Sequence, residues 1–390
     1  MIRIALIRRK FNPFGGAEQF IIRTIQGLRA FNISTAIIAE SWKDSGTSAD
    51  DTPSLAGQDW IKADVQGGSR VAKFLSFQQS VATILSTHQF DLIQSHERLL
   101  GADIYRLGDG LHASWVARLA KVSPWYIKLW LKIDPYHRAV IRTEQEMAKE
   151  PNLTYVANSQ LVQQELMDWY NVPKNRIVLI ENGIDTKAFR PSLQAEKMAE
   201  KTKLGLNPQL PTVLFIGSGF ARKGAFELLE AINSLPDFQL MVVGHDKQLT
   251  KLKKRVKTLQ LEKRVLVTGP QSDVMPFLAA ADCFCLPSLY DPFPNAALEA
   301  LCSALPVVVT NAVGIANALI HANAGLICNK EPASIAQALL QVWGEREAMS
   351  RNALYLSKNY DLAKASQQWL SLYNTLIKKK KESHIAHSTH

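Results

Sequence analysis

Cysteine is scarce: four residues among 390, at positions 283, 285, 302 and 328. None forms a Cys-x-x-Cys pair and no histidine stands beside them at ligand spacing, which argues against zinc. They read as small buried thiols in a reducing compartment. Long apolar runs are missing too. Spanning a bilayer takes about 20 apolar residues, and the best candidate, VMPFLAAADCFCLP, is broken by Asp282 and ends at Pro287. The N-terminal MIRIALIRRKF has too short an apolar core for a signal peptide and reads as a first strand, so the chain is expected to stay in the cytoplasm. A Gly-x-Gly-x-x-Gly fingerprint and a P-loop are lacking. So is an Asp-x-Asp metal motif, and no metal ligand is assigned.

Positive charge is in excess. Lys and Arg number 45 against 35 Asp and Glu, a net charge of +10 that favours an anionic partner. The length suggests two domains, since a single core rarely grows past roughly 250–300 residues. IRIALI (2–7), a Gly-containing loop, a helical pattern from Ala17 to about Ala30 and STAIIAE (34–40) read as strand, loop, helix and strand. Further strand candidates are FDLIQS (90–95), LTYVANS (153–159) and RIVLIENG (176–183). The polar, proline-containing stretch 185–211 reads as a linker. A second opening follows in TVLFIGSGFARKG, and FQLMVVG, RVLVTGP, DCFCLPS and LPVVVT continue it as short apolar runs. Such runs suit parallel strands buried on both faces. The expected architecture is α/β: two facing Rossmann-like domains with parallel sheets and a cleft between them. The first covers 1–190, with the helix 363–380 packing back on it, and the second covers 191–362. The terminal 382–390, with its three histidines, reads as a solvated, disordered tail.

Two loops are candidate anion sites, with the capping of an ordinary turn as the alternative for the Gly pair of the first. FGGAE (14–18) sets Gly15 and Gly16 between strand and helix, where backbone N–H groups are open to a ligand. GSGFARKG (217–224) places Arg222 and Lys223 just after Gly217 at a strand end, an arrangement suited to a diphosphate. The bland alternative is a solvated cation pair. SLYDPFPNAALEA then brings Asp291 and Glu299 to either side of a helix start near Pro294 or Asn295, with seven residues between them. Carboxylates there accept sugar hydroxyls while the helix N–H groups serve oxygens. The alternative is that the acids only offset the helix dipole, at about 0.3–1 kcal/mol each.

In combination these motifs resemble the family-four retaining glycosyltransferases of GT-B fold, most of all the lipopolysaccharide core glucosyltransferases of Gram-negative bacteria. The match runs through GGAE (15–18), ENGIDTKAFRP (181–191), GSGFARKG (217–224), Asp291-PFPNAAL-Glu299 and ALPVVVT (304–310), with FNPFGGAEQF and DIYRLGDGLHASW as further likenesses. The resemblance implies these roles. Arg222 and Lys223 bind the donor diphosphate and stabilise the leaving nucleotide. Glu299 holds the ribose, Asp291 contacts the transferred sugar, and Gly15 and Gly16 face the phosphates. Gly269, Pro270 and Gln271 lie against the base, with Gly217, Asn295 and Ala296 completing the donor site. Asp109 stands near the acceptor and the reaction centre, with His112 as the rival. Asp replaces the family's Glu at 291, one methylene shorter. No cofactor is implied beyond the nucleotide-sugar donor, because the two cations take the place of a metal.

Between Ala113 and Arg142 lie six basic residues, opposed only by Asp134 and interleaved with Trp115, Trp125, Tyr126, Trp130 and Tyr136. That is the pattern of an interfacial helix on an anionic membrane, rather than of a nucleic-acid surface. A helix packed on its own domain, its lysines solvated, is the alternative. The expected function is retaining, metal-independent transfer of a hexose, UDP-glucose being the first donor considered, to a lipopolysaccharide core or other lipid-linked oligosaccharide. The work would be done by a peripheral protein on the cytoplasmic face of the inner membrane. The alternatives are a non-catalytic nucleotide-sugar binder and a transferase for a soluble or other cell-surface polysaccharide.

Overall fold

The computed structural model describes residues 2–11, 21–22, 25, 33–42 and 59–388, the last six of these by backbone alone. Gly15, Gly16 and most of the helix expected from Ala17 to Ala30 lie outside the described residues. The chain divides into two compact units, 1–182 with 363–390, and 183–362.

The first unit holds β1 (Ile2–Ile7), β2 (Lys10–Phe11), β3 (Ile33–Ala39), β4 (Ser41–Trp42), β5 (Asp59–Lys62), β6 (Leu92–Ser95), β7 (Ile104–Leu107), β8 (Thr154–Ala157) and β9 (Ile177–Leu179). Its helices are α1 (Arg70–Thr87), α2 (His112–Val122), α3 (Trp125–Ile133), α4 (Pro135–Lys149) and α5 (Gln160–Tyr170). The main sheet is parallel, in the order β5-β3-β1-β6-β7-β8-β9. The chain therefore winds one way from β1 and then the other way from β6. Ile4, Leu6 and Ile37 face one apolar layer and Ala5, Ile7 and Ile38 the other, which is why β1 and β3 read as unbroken apolar runs. β7 escaped the sequence reading because Arg106 interrupts its pattern. That arginine is only 2% exposed, and its guanidinium donates to Asn182 Oδ1 at 2.7 Å.

The second unit holds α6 (Gln194–Lys203), β10 (Thr212–Ile216), α7 (Phe220–Lys223), α8 (Ala225–Asn233), β11 (Gln239–Val243), α9 (Leu249–Thr258), β12 (Val265–Gly269), α10 (Met275–Ala280), β13 (Cys283–Leu286), α11 (Asn295–Cys302), β14 (Val307–Thr310), α12 (Ala316–His321), β15 (Gly325–Cys328) and α13 (Pro332–Ser357). Its sheet is parallel in the order β12-β11-β10-β13-β14-β15. Both sheets thus have the strand order of a doubly wound dinucleotide fold, with the direction reversing beside β1 and beside β10.

Three expectations need correction. The stretch 185–211 is not a linker: α6 lies within it, and Lys201, 3% exposed, is folded inward. Its ammonium meets Asp282 Oδ2 at 2.6 Å, and Lys197 meets Oδ1 at 2.9 Å. Both cations find the same acid, so a segment that looks polar in sequence is docked. The boundary lies before Gly183 rather than at 190, because Ile184 is part of the second core and pairs with Tyr360 and Leu362 through its backbone. The tail is not structureless from 382. The last helix, α14 (Leu362–Ser388), continues through it, since no Gly or Pro follows to stop the helix. On the first unit α14 buries Trp369, Tyr373 and Ile377, and Tyr373 donates its hydroxyl to Gln94 Oε1 at 2.6 Å.

Candidate active site

Open parallel sheets bind ligands beyond the carboxyl ends of their strands, where the winding reverses. In the second unit that point lies between β10 and β13. β10 runs into Gly217, Ser218 and Gly219, then the single turn of α7, which carries Arg222 and Lys223. The turn is drawn against the sheet. A Cβ at Gly217 would lie 2.6 Å from Lys223 Cδ, so the lysine stem crosses directly over this glycine. Gly224 ends the turn at φ +81°, and a Cβ there would meet the Pro287 carbonyl after β13.

β13 leads to Asp291. Its N–H donates to the Ala312 carbonyl at 3.1 Å, and its own carbonyl accepts from Gly314 at 2.9 Å. The loop after β14 therefore fixes its backbone on both sides. The side chain is 9% exposed, and Oδ2 lies 2.9 Å from Lys223 Nζ and 3.8 Å from Arg222 Nη1. The lysine contact is an ion pair off the line of a hydrogen bond, leaving Oδ2 without a hydrogen-bond partner. Arg222 Nη1 donates to the Tyr290 carbonyl at 2.7 Å. Two cations and one carboxylate thus lie together at the reversal point. The carboxylate neutralises charge that a diphosphate would otherwise meet.

The sequence reading missed Asp246, which follows β11. Its Oδ2 accepts the N–H groups of Gly219 at 2.9 Å and Phe220 at 3.2 Å, while the Gly217 N–H goes to the Val243 carbonyl. These three amides of the turn are already engaged, and Arg222 and Lys223 supply the positive charge for an anion here. A signal was present, an acid two residues after a strand-ending glycine, but its target is distant in sequence.

Asn295 and Ala296 open α11, and Glu299 follows one turn later, half-buried. Gly269 ends β12 at φ +83°, and its carbonyl accepts from Gly244 N at 2.9 Å. Gly244 in turn packs on Gly217 so closely that a Cβ would strike the Gly217 carbonyl. Pro270 and Gln271 are exposed beyond it. Gly269, Gly244, Gly217, Lys223 and Asp291 so form a continuous series of contacts along one edge of the sheet.

The reversal point of the first unit is also charged. Arg8, after β1, lies 3.3 Å from Glu97 Oε1 and 3.2 Å from Asp109 Oδ2. Asp109 follows β7, and its side chain is 58% exposed. Desolvation raises its pKa, but Arg8, Arg98 and Arg106 outweigh that and hold it below the usual carboxylate range. Glu97 is raised, chiefly by burial. His112 begins α2, and its Nε2 lies 2.8 Å from His137 Nδ1. Burial, then Arg98, lower it to about 4, so it is neutral at physiological pH. Glu144, on α4, was not singled out in the sequence. It accepts from Arg98 Nε (2.6 Å), His112 N (2.7 Å), Ala113 N (3.2 Å) and the Tyr170 hydroxyl (2.7 Å), while Arg98 also holds the Gly110 carbonyl. The loop bearing Asp109 and His112 is thereby tied down on its far side.

Among the described α-helices of the first unit, α3 stands apart in having a single fully buried side chain, Leu131. Trp125 is 76% exposed, Ile133 60%, Tyr126 56% and Trp130 46%. Packing on its own domain therefore accounts for Leu131, the half-buried Ile127 and the edge contact of Trp130 with His137 at 5.7 Å, and leaves Trp125, Tyr126 and Ile133 facing outward. Among the described residues no helix is long and apolar enough to cross a membrane. No group of three or more potential metal ligands occurs among them either.

Two doubly wound sheets, the second carrying a cation pair at its reversal point, are the makings of a GT-B glycosyltransferase. The chain belongs to the glycosyltransferases of group 1 and family 4: the sequence model for glycosyl transferases group 1 matches residues 196–355, and that for glycosyltransferase family 4 matches residues 14–188. It is similar to the lipopolysaccharide glucosyltransferase WaaG of Escherichia coli K12, with 24% identity over 330 residues, 83% of this chain and 84% of that protein. The crystal structure of WaaG, a glycosyltransferase involved in lipopolysaccharide biosynthesis, superposes with a TM-score of 0.80 at 21% identity, covering 95% of this chain and 99% of the other. Anabaena Alr3699/HepE in complex with UDP-glucose gives a TM-score of 0.74 at 19% identity over 96% and 100% of the two chains.

Proposed function

We propose that the chain is a retaining, metal-independent hexosyltransferase that moves a hexose from a UDP-sugar, glucose first, to a lipopolysaccharide core or other lipid-linked oligosaccharide. The observation that carries this reading is the Arg222–Lys223–Asp291 cluster at the reversal point of the second sheet. The likeness to a lipopolysaccharide glucosyltransferase and to a fold seen with UDP-glucose supports the choice of donor and acceptor. Arg222 and Lys223 hold the diphosphate and stabilise charge on the leaving nucleotide, the work a divalent cation does elsewhere. Glu299 takes the ribose hydroxyls, Asp291 a hydroxyl of the sugar, and Gly269, Pro270 and Gln271 flank the base. Gly15 and Gly16 are assigned to the phosphates on the resemblance of the GGAE motif alone.

Asp109 is favoured over His112 beside the acceptor. It is ionised and reaches solvent, whereas His112 is engaged with His137. With retention, the acceptor hydroxyl attacks from the face the nucleotide leaves, and a departing phosphate oxygen takes its proton. The exposed aromatic face of α3, with Lys128 and Lys132, rests on an anionic bilayer at the cytoplasmic face of the inner membrane, where a lipid-linked acceptor is found. The test is transfer from UDP-glucose, UDP-galactose and UDP-N-acetylglucosamine to a deacylated lipopolysaccharide core in excess chelator, with the product anomer read by NMR. One donor giving an α-linked product supports the proposal. A β-linked product, or no transfer until Mg²⁺ is restored, overturns it.

A further inference from the structure

We infer that Trp42, tilted against Trp60, forms a subsite for the apolar face of one sugar ring of the acceptor. The inference rests on the reading of the chain as a transferase to an oligosaccharide. β2 and β4 make a two-stranded parallel pair, with Lys10 opposite Ser41 and Phe11 opposite Trp42. β2 follows the carboxyl end of β1 and β4 that of β3, so the pair sits over the ligand-binding edge of the first sheet. Its aromatic side is ordered from the core outward. Phe11 is 3% exposed and belongs to the core. Trp60 meets Phe11 edge-on, with centroids 5.3 Å apart at 84°. Trp42 then lies over Trp60 at 4.9 Å and 33°. Trp60 is anchored, and among the described residues Trp42 rests on that ring while keeping 38% of its exposure.

A single tryptophan is too small a patch for a protein interface. Its size and flatness suit a pyranose, whose axial C–H groups form an apolar face ringed by hydroxyls. Hydroxyl partners stand alongside. Glu40 precedes Ser41 and holds Arg9 Nε at 2.6 Å, both side chains about one-fifth exposed. The platform also shares its frame with the charged centre. The Arg9 N–H donates to Glu97 Oε1, the oxygen that Arg8 contacts, and the same Arg8 Nη1 reaches Asp109. Through the β2–β4 pairing, Trp42 is therefore joined to the turn whose Arg8 contacts Asp109. This places acceptor recognition on side chains that play no part in donor binding.

The experiment uses the full-length protein, a deacylated lipopolysaccharide core oligosaccharide as probe, and the variants Trp42→Ala and Trp42→Phe. Two readouts are taken: quenching of indole fluorescence by the oligosaccharide, and acceptor KM, donor KM and kcat for transfer. The expected result is a quench that Trp42→Ala removes. Acceptor KM rises about tenfold in the same variant. Donor KM and kcat stay unchanged, and Trp42→Phe recovers most of the loss because it keeps a flat ring. A quench that Trp42→Ala retains, no quench at all, or an unchanged acceptor KM overturns the inference. If the oligosaccharide quenches through Trp42 but is not glycosylated, the subsite stands and the reading of this acceptor as substrate fails. If it is glycosylated without involving Trp42, the reading stands and the subsite fails.

Discussion

Lys223→Ala lowers kcat about 10²–10³-fold in metal-free buffer, the cost of removing one preorganised donor from a leaving group. Lys223 is 13% exposed and is held over Gly217 with its ammonium at the reversal point of the second sheet. At that partly desolvated position its charge is worth more than it would be in water. Asp291→Asn provides the opposite arm. That carboxylate is the counter-ion of both cations, so removing its charge leaves them free for phosphate. UDP then binds as tightly as before or more tightly, while kcat falls because the hydroxyl contact to the sugar is weakened. Initial rates and UDP titrations on enzyme shown to be folded by circular dichroism check both arms. Weaker UDP binding in Asp291→Asn, or a Lys223→Ala enzyme with unchanged kcat, contradicts the assignment.

Trp125→Glu combined with Trp130→Glu reduces binding to phosphatidylglycerol vesicles at least about a hundredfold. Each indole entering the headgroup layer contributes about 2 kcal/mol of apolar burial, and a hundredfold is about 2.7 kcal/mol. Lys128 and Lys132 add about 1 kcal/mol each near an anionic surface. High salt removes that part and leaves the aromatic part. Trp130 also meets His137 edge-on at 5.7 Å, so the double variant is compared with Trp125→Glu alone, which removes a ring that is 76% exposed and keeps the wild-type melting temperature. Transfer to a soluble deacylated acceptor is also kept, while transfer to acceptor embedded in vesicles is lost. Co-sedimentation with vesicles of graded charge, at low and high salt, reads the effect directly. Undiminished vesicle binding would mean that α3 is not the docking face.

Much of this was legible in sequence for a physical reason. Strands buried on both faces read as apolar runs, so β1, β3, β10, β11, β13 and β14 announce themselves, and a cation pair after a strand-ending glycine marks the reversal point. Partners remote in sequence were not legible. Arg106 hides β7 because a buried arginine looks like a loop residue until Asn182 is seen beside it. Asp282 makes α6 part of the second unit by binding Lys197 and Lys201, which nothing in the local sequence of 185–211 declares. Glu144 and Asp246 organise the two charged loops from distant helices and strands. In each case the missing information is the identity of a long-range electrostatic partner, which local pattern does not carry.

The central claim is that side-chain cations, not a metal, hold the donor diphosphate. Calorimetric titration of UDP-glucose into the wild type and Arg222→Ala, each with and without chelator, tests it most directly. The account predicts one tight site in the wild type that chelator leaves untouched and that Arg222→Ala weakens by at least about tenfold, the loss of one charge-assisted contact. Binding that disappears with chelator, or that Arg222→Ala leaves intact, would contradict it.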